Sequence, residues 1–340
     1  MHSSSVKPTL CGGHVKSIGT HNGKFHCDEV LACSMLKELP EYSDAEIIRT
    51  RDEEILKTCD IVVDVGGVYD PEKLRFDHHQ KTFTESMSTL RPGCRFTTKL
   101  SSAGLVYHHF GLAVIARILD KKESDEVVQE LYEKMYENFI EEIDAVDNGI
   151  PLNDFPMRYR INTTLSQRVG ALNSSWRDPH PDELQGFQTA MQLVGKELKE
   201  KIHHYATDWW EAFSNVKTAV ENRFEVDSSG EIMELVSGGC PWKEHLVKLE
   251  NDLEIETPIK FVIFPDNAGA WRVQAVPKSP DSFLLKVPLL PAWQGLRDKE
   301  LQEASGLPTA IFVHANGFIG GAHERQNAIQ MARVSLGKAV

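Results

Sequence analysis

Positive charge is scarce in this sequence of 340 residues, which carries 37 Lys and Arg against 50 Asp and Glu and has a formal net charge of −13. Strong non-specific binding to nucleic acid depends on Lys and Arg that neutralise phosphates, so the average charge argues against that mode of binding. A nucleic-acid substrate is still allowed, because a local basic groove or bound divalent cations can offset a negative average.

Long apolar runs and paired cysteines are also missing. The nearest candidate for a membrane span, 105–119, is interrupted by His108, His109 and Arg117, so we expect a buried or half-buried helix and no membrane partner. None of the six cysteines forms a C-x-x-C pair and no secretory signal precedes them, which indicates reduced thiols in an intracellular protein. The first 20 residues lack Asp, Glu and Arg. They weakly resemble a transit peptide, but a frayed polar terminus is the favoured interpretation.

The first half of the chain alternates short apolar segments with amphipathic ones. Three segments have the composition of strands: 15–20, 45–49 and 61–65. Helical periodicity is present at 29–39, 102–119 and 125–147. Strands that alternate with helices are typical of an α/β fold with a mainly parallel sheet, which we place in a catalytic domain of residues 1–155.

The second half has a different pattern and predicts a helical linker and a separate C-terminal α+β domain in residues 156–340, with the boundary in the loop-rich stretch 151–181. Helices are expected over 182–213 and 324–336, and strands over 259–264, 271–276 and 310–314. The first two of these strands flank a plausible hairpin turn.

Histidines and aspartates follow the predicted strands of the first half. In open parallel sheets ligands bind at the carboxyl ends of the strands, so a loop after the first strand and an aspartate ending the third point to the same edge. A further Asp-His-His triplet lies 13 residues beyond that aspartate, near enough to return to the edge. These residues are His21, His26, Asp28, Asp64, Asp77, His78 and His79.

Two more acids, Asp144 and Asp147, close the long helix on one face. Carboxylates and imidazoles that converge on one edge would be costly to bury without a compensating charge, and a divalent cation supplies it. Mixed His and Asp ligation suits Mn²⁺, Fe²⁺, Co²⁺ or Zn²⁺, whereas all-oxygen sites suit Mg²⁺. Two ions that share a bridging carboxylate would explain the number of acids and would suit phosphoryl transfer.

An isolated His-His pair is usually structural, and we assign that role to the pairs at 108–109 and 203–204. The Asp-His-His triplet is also a weak signal by itself. It predicts a metal site only in combination with the His/Asp loop after the first strand and with Asp64 at the end of the third.

The order of these motifs resembles the four motifs of the DHH phosphoesterase superfamily, which includes RecJ-like exonucleases, oligoribonucleases and family II pyrophosphatases. In that superfamily the first motif is a histidine followed by two aspartates. Here His26 stands roughly where the first aspartate is expected, with slightly wider spacing.

More closely, the sequence resembles the melanocyte proliferating gene family, also described as uncharacterised protein family 0160. The matching stretches span nearly the whole chain and are 18–29, 63–67, 76–80, 101–104, 143–149 and 320–323. The resemblance implies a metal-dependent hydrolase with 3′→5′ exoribonuclease activity, an RNA substrate, and a role in mitochondrial and nuclear RNA processing. A location in the cytoplasm stays open.

The resemblance also implies roles for the candidate residues. Two divalent ions are expected, with Mn²⁺ favoured and Mg²⁺, Co²⁺ or Zn²⁺ as alternatives. The expected ligands are His21, His26, Asp28, Asp64, His78 and Asp147. Asp64 would bridge the ions, His79 would face the scissile phosphate, and Asp77 would hold an imidazole in place. Asp144 is the alternative to Asp147, which could instead bond backbone groups at the helix end.

The Gly320-Gly321-Ala322-His323 stretch precedes the last predicted helix and resembles the Gly-Gly-Gly-His substrate-binding motif of the domain that often follows DHH. Glycines allow backbone N–H groups to approach a phosphate, and a helix N-terminus favours an anion. The alternative is an ordinary turn. If the stretch binds substrate, Arg325 would contact a phosphate group, and Arg168 is a second candidate for holding the phosphate.

Two other functions compete with the exoribonuclease. One is a small-molecule phosphohydrolase such as a pyrophosphatase, which the acidic balance mildly favours. The other is a non-catalytic, metal-bearing module that binds RNA or protein.

Overall fold

The structure is a computed structural model that describes residues 15–338, so Cys11 and the first 14 residues of the predicted polar terminus lie outside it. The chain forms two compact units, the first ending at His204 and the second beginning at Tyr205. Residues 156–204 therefore fold with the first unit. The division into a catalytic and a substrate-binding domain stays a prediction.

The first unit contains a five-stranded sheet with the order β2-β1-β3-β5-β4. Its strands are β1 (Ser17–Thr20), β2 (Glu46–Arg49), β3 (Ile61–Val63), β4 (Tyr69–Asp70) and β5 (Arg75–Phe76). The strand pairs are parallel except for β4, which runs antiparallel to β5. The expected α/β fold with a mainly parallel sheet is therefore confirmed for this unit.

Eight α-helices surround this sheet in the part of the chain that is described. They are α1 (Cys27–Glu38), α2 (Glu53–Thr58), α3 (Met87–Leu90), α4 (Ser102–Leu119), α5 (Glu126–Met135), α6 (Glu141–Asp147), α7 (Leu165–Gly170) and α8 (Glu183–His204). The single helix predicted over 125–147 is interrupted, because a π-helical turn at Tyr136–Ile140 separates α5 from α6. Such a turn inserts one residue into the helical repeat, which hydrophobic periodicity does not reveal.

Helix α4 is, among the described residues, the one helix long and apolar enough to cross a membrane by length and composition. That match is weak evidence, because buried helices of globular proteins pass the same test. Here α4 packs against α1, α5, α6 and α8, and ten of its residues are buried. The prediction of a buried or half-buried helix at this position is confirmed.

The second unit contains a mixed five-stranded sheet with the order β6-β7-β8-β10-β9, in which only the β6–β7 pair is parallel. The strands are β6 (Ile232–Glu234), β7 (Phe261–Pro265), β8 (Trp271–Ala275), β9 (Ala310–Val313) and β10 (Ile319–Ala322). The helices described here are α9 (Glu211–Glu221), α10 (Arg223–Val226), α11 (Lys243–Asp252), α12 (Asp298–Ser305) and α13 (Arg325–Ser335). A second π-helical turn, Tyr205–Trp210, lies between α8 and α9. The predicted hairpin is present as β7 and β8.

Helix α4 approaches α6 so closely at Gly104 that a side chain cannot be accommodated. A Cβ atom on Gly104 would lie 2.4 Å from Oδ2 of the buried Asp144. By contrast, a Cβ atom on Gly195, within α8, would meet only the Cβ of Ser34 at 3.8 Å. Gly104 is therefore required by packing, whereas Gly195 is not.

We expect Gly104→Ala to lower the free energy of unfolding by about 1–3 kcal/mol, the usual cost of overpacking a core. The matched change Gly195→Ala should raise it by about 0.5–1 kcal/mol, because alanine is the better helix former. Urea denaturation followed by circular dichroism measures both variants. Equal effects would contradict the packing assigned to Gly104.

Candidate metal centre

Three parallel strands of the first unit are each followed by candidate residues. His21 follows β1, Asp64 follows β3, and the triplet 77–79 follows β5. Because β1, β3 and β5 run in the same direction, their carboxyl ends meet at one edge of the sheet. The juxtaposition expected from the sequence is therefore present in the structure.

His21 is buried between two carboxylates. Its Nε2 atom lies 3.0 Å from Oε1 of Glu29 and 3.4 Å from Oδ2 of Asp64, and its Nδ1 atom lies 3.0 Å from the carbonyl oxygen of Asn22. Burial works to lower the pKa of His21, but the hydrogen bonds to Asp64 and Glu29 outweigh it and raise the pKa to about 10. This position therefore stabilises positive charge, which a metal ion can supply in place of a proton.

Asp64 is the centre of the cluster. Its Oδ1 atom lies 3.4 Å from Nε2 of His78 and 3.5 Å from Nδ1 of His79, and it accepts a hydrogen bond from the hydroxyl of Ser102. Burial alone would raise the pKa of Asp64, but the neighbouring imidazoles of His21 and His78 lower it well below its usual range. Asp64 also has a left-handed backbone with φ 57°, which is uncommon for a residue other than glycine.

Asp28 provides the clearest sign that a cation belongs here. Its carboxylate is fully buried, and neither oxygen accepts a hydrogen bond from any residue in 15–338. Burial and the charges of Asp64 and Asp147 raise its pKa well above the usual value. A buried charge without a partner is costly, so this carboxyl group either keeps a proton or binds a cation.

His78 lies where the carboxylates converge. Its Nε2 atom is 3.1 Å from Oδ2 of Asp147, 3.4 Å from Asp64 and 4.0 Å from Oδ2 of Asp28. Both ring nitrogens are buried, and no described residue hydrogen-bonds to them. Three groups of side chains could hold a metal ion: His21, His26, Glu29 and Asp64; Asp64, His78 and His79; and His26, Asp28 and Asp147. These donor sets fit a divalent metal ion.

Asp64 and His26 each belong to two of these groups. A shared Asp64 agrees with the bridging position implied by the family resemblance. His26 precedes α1 as its N-cap residue and is exposed, whereas its neighbour Asp28 is buried. The structure thus places His26, which departs from the usual DHH pattern, beside other candidate ligands.

Asp77 orients His79. Its Oδ1 atom lies 2.7 Å from Nδ1 of His79 and accepts the backbone N–H of the same residue, while Oδ2 accepts the N–H of Gly67. Burial works against the charge on Asp77, but these hydrogen bonds outweigh it and lower its pKa. The bond to Asp77 in turn raises the pKa of His79. This geometry agrees with the supporting role expected for Asp77.

Asp144, the alternative to Asp147, accepts hydrogen bonds from residues outside the candidate metal groups. Its Oδ1 atom accepts hydrogen bonds from the backbone and hydroxyl of Ser101 and from the N–H of Gly104, and Oδ2 accepts the hydroxyl of Tyr136. Burial outweighs these bonds and raises the pKa of Asp144 to about 7. Asp144 therefore joins α4 to α6, and Asp147 is the member of the pair that reaches the metal groups.

Glu29 was missed as a site residue. Besides contacting His21, it accepts the backbone N–H of His26 at 2.9 Å, which is the return half of a capping box. The sequence does contain a signal for this contact, because an acidic residue stands three positions after the N-cap residue. Ser102 lies in a stretch that matched the family, but its bond to Asp64 could not be deduced from the sequence.

A cavity of about 570 Å³ in the first unit is lined by His26, Asp28, Asp64, His78, His79 and Asp147, but not by His21. Its other lining residues include Lys99, Asn148, Ser166 and Gln167. Arg168, the second candidate for holding the phosphate, does not line it. Its Nη2 atom instead lies 2.6 Å from Oε2 of Glu197, within an ion pair between α7 and α8.

The remaining predicted substrate residues belong to the second unit. Gly320 and Gly321 lie within strand β10 and not in the turn that was the alternative interpretation. A Cβ on Gly321 would meet Nη1 of Arg272 and lie 2.9 Å from Cε1 of Phe312, so neighbouring side chains pack closely against this glycine. His323 is exposed, and Arg325 begins α13 with its guanidinium bonded to Glu234.

The fold and the site together define an α/β protein with His and Asp groups that could hold a metal ion at the carboxyl edge of a parallel sheet. Residues 17–336 match the family model MYG1_exonuc, described as "Uncharacterised protein family (UPF0160)", and the chain belongs to this family. The family resemblance drawn from the motifs is therefore confirmed.

Several relatives cover nearly the whole chain. "MYG1 exonuclease" of Mus musculus is 57% identical over 320 residues, which are 94% of this chain and 84% of the mouse protein. The protein of the same name in Homo sapiens is 55% identical over 94% of this chain and 85% of its own length. "MYG1 protein" of Dictyostelium discoideum is 45% identical over 95% and 97%.

Asp28→Asn and Asp144→Asn form a matched pair, because each replaces a fully buried carboxylate with a neutral side chain of the same shape. We expect Mn²⁺ to raise the unfolding temperature of the unaltered protein, with about 2.7 kcal/mol of stabilisation at 100 times the dissociation constant. Asp28→Asn should lose this response. Asp144→Asn, which keeps an acceptor for Ser101 and Gly104, should retain it.

Differential scanning fluorimetry with and without Mn²⁺ measures the effect. A normal response in Asp28→Asn, or a lost response in Asp144→Asn, would contradict the assigned ligand set.

Proposed function

We propose that the chain is a metal-dependent phosphodiester hydrolase that removes nucleotides from the 3′ end of RNA. The observation that carries the proposal is the buried, unpartnered carboxylate of Asp28 beside Asp64, Asp147 and His78 in an accessible cavity. The name "exonuclease" carried by relatives in mouse and man supports a nuclease over other hydrolases. RNA processing in the mitochondrion or the nucleus is the role we expect from the family resemblance.

Six side chains would hold two divalent ions, with Mn²⁺ favoured: His21, His26, Asp28, Asp64, His78 and Asp147. When bound, such ions lower the pKa of a water molecule and neutralise charge on the phosphoryl oxygens. Burial of the carboxylates strengthens their hold on a cation, because the surrounding protein screens charge less than water does.

His79 is the residue placed to contact the phosphate. Its side chain lines the cavity and is about 61% exposed, while Asp77 binds its Nδ1 atom. With Nδ1 held in this way, Nε2 is the nitrogen available to a substrate. The raised pKa favours an imidazolium, which donates a hydrogen bond to a phosphate oxygen.

Lys99 lines the same cavity and is proposed to hold the rest of the nucleotide. In the second unit, the substrate-binding set of Gly320, Gly321, His323 and Arg325 stays a prediction. Because Arg325 already pairs with Glu234, we expect a phosphate to compete with that carboxylate for the guanidinium.

Incubation with Mn²⁺ and oligoribonucleotides labelled at either end tests the activity and its direction. We expect successive shortening from the 3′ end, and a loss of at least about 100-fold in rate for Asp64→Asn because that change removes the shared ligand. Cleavage of inorganic pyrophosphate with RNA left intact would show a small-molecule phosphohydrolase instead.

A double-mutant cycle tests the pairing of Asp77 with His79. His79→Ala should lower kcat by about 100-fold, and Asp77→Asn by about 10-fold, while both keep the Mn²⁺-dependent rise in unfolding temperature. The double variant should be no slower than His79→Ala alone, because Asp77 acts through His79. Additive losses would show that Asp77 has a separate role.

A further inference from the structure

The connection between α6 and α8 has an unusual surface. All residues of 151–163 are exposed. Among them Phe155 and Tyr159 expose 80% and 73% of their surface, and Trp176, after α7, exposes 84%. Scattered apolar residues on a surface are normal, but three large aromatic side chains exposed to this degree in one connection indicate an interaction site.

The charge of this connection is opposite to that of the chain. Between Asp154 and Asp178 there are four arginines and no Asp or Glu, although the chain as a whole carries a net charge of −13. Arg168 pairs with Glu197, but Arg158 and Arg160 are exposed and alternate with the aromatic and apolar side chains of 155–161. Residues 155–177 are thus a local basic stretch in an acidic protein.

Helix α7 fixes this connection to the metal centre. Leu165 and Val169 are buried, whereas Ser166, Gln167 and Gly170 of the same helix line the cavity.

Beyond α7, the side-chain amide of Asn173 accepts the N–H of Phe25 and donates to its carbonyl oxygen, each at 2.9 Å. Phe25 directly precedes His26. The exposed stretches on both sides of α7 therefore lie close in sequence to residues that line the cavity.

We propose that this aromatic strip, defined as Phe155, Arg158, Tyr159, Arg160 and Trp176, binds the single-stranded part of an RNA substrate whose 3′ end lies in the cavity. Bases stack on the aromatic rings and the arginines contact phosphates, a combination typical of single-strand binding without sequence preference. The inference rests on the proposed function and identifies what holds the strand outside the cavity. The alternation of arginine with aromatic residues favours RNA over a protein partner.

Fluorescence anisotropy with a 12-nucleotide oligoribonucleotide tests the strip, in an Asp64→Asn background that prevents digestion. Stacking of one base is worth roughly 5- to 150-fold in affinity. The triple change Phe155→Ala, Tyr159→Ala and Trp176→Ala should therefore raise Kd at least about 10-fold. Phe283→Ala, which removes a fully exposed aromatic residue elsewhere, is the matched control and should change Kd less than about 2-fold.

The contribution of the arginines is measured by the salt dependence of RNA binding. Replacing Arg158 and Arg160 with alanine should reduce the slope of log Kd against log salt by about 1.4, since each phosphate contact on a single strand contributes about 0.7. The lysine double variant should keep the slope. Unchanged RNA affinity in the triple aromatic variant, or a loss equal to that of Phe283→Ala, would overturn the proposal and leave a protein partner as the occupant of the strip.

The proposed chemistry is tested separately with a small aryl phosphodiester and Mn²⁺ on the unaltered protein. In the active background, the loss of kcat/KM in the triple aromatic variant should grow as the RNA lengthens from 2 to 12 nucleotides. A loss of kcat/KM that is independent of RNA length overturns the proposal that the strip binds RNA. If the unaltered protein cleaves no diester, the proposed function is refuted, and the anisotropy result still stands.

Discussion

The burial of acidic side chains around one imidazole is the constraint on which the first unit depends. Asp28, Asp64 and Asp147 surround Nε2 of His78 within 4.0 Å. In the absence of metal, protons on His21 and His78 offset part of this negative charge, as their raised pKa values of about 10 and about 9 show. Asp28 keeps no such partner. The site therefore has more acidic groups than its own cationic groups balance, and a metal ion could supply the remaining positive charge.

Another buried carboxylate, that of Asp144, holds part of this acidic group in place. Asp144 accepts four hydrogen bonds: two from the N-cap residue of α4, one from α4 itself and one from the π-helical turn. These bonds fix α6 against α4. Asp147 lies three residues further along α6, so its position depends on that contact. Gly104 makes the contact possible, because any side chain there would occupy the space of the carboxylate. One aspartate of the pair is thus structural and the other is available for a metal ion.

Much of the first unit could be predicted because its signals are local. Helix α4 begins and ends where predicted, since Ser101 caps its N-terminus and Asp120 adopts a left-handed conformation after its last residue. Strands β4 and β5 have two residues each, too few for a periodic pattern, and the sequence does not reveal them. The π-helical turns were missed for the same reason, because an inserted residue leaves composition unchanged.

The candidate site was partly predictable for a related reason. The residues after β1, β3 and β5 could be grouped because parallel strands bring their carboxyl ends together. The choice between Asp144 and Asp147 depended on hydrogen bonds between helices, which spacing cannot supply. Strand β10 was missed because Gly320 and Gly321 have low strand propensity, and only packing against Phe312 and Arg272 explains them.

The backbone of Asp64 restricts which amino acids this position can accept. Its φ of 57° is tolerated by glycine, asparagine and aspartate but is strained for most other residues. The contacts of its side chain require a negatively charged oxygen ligand, which glycine and asparagine lack. Only aspartate satisfies both requirements, so an engineer who wished to change the metal preference proposed for this site would have to leave Asp64 alone and vary His26 or Asp147, whose backbones are not left-handed.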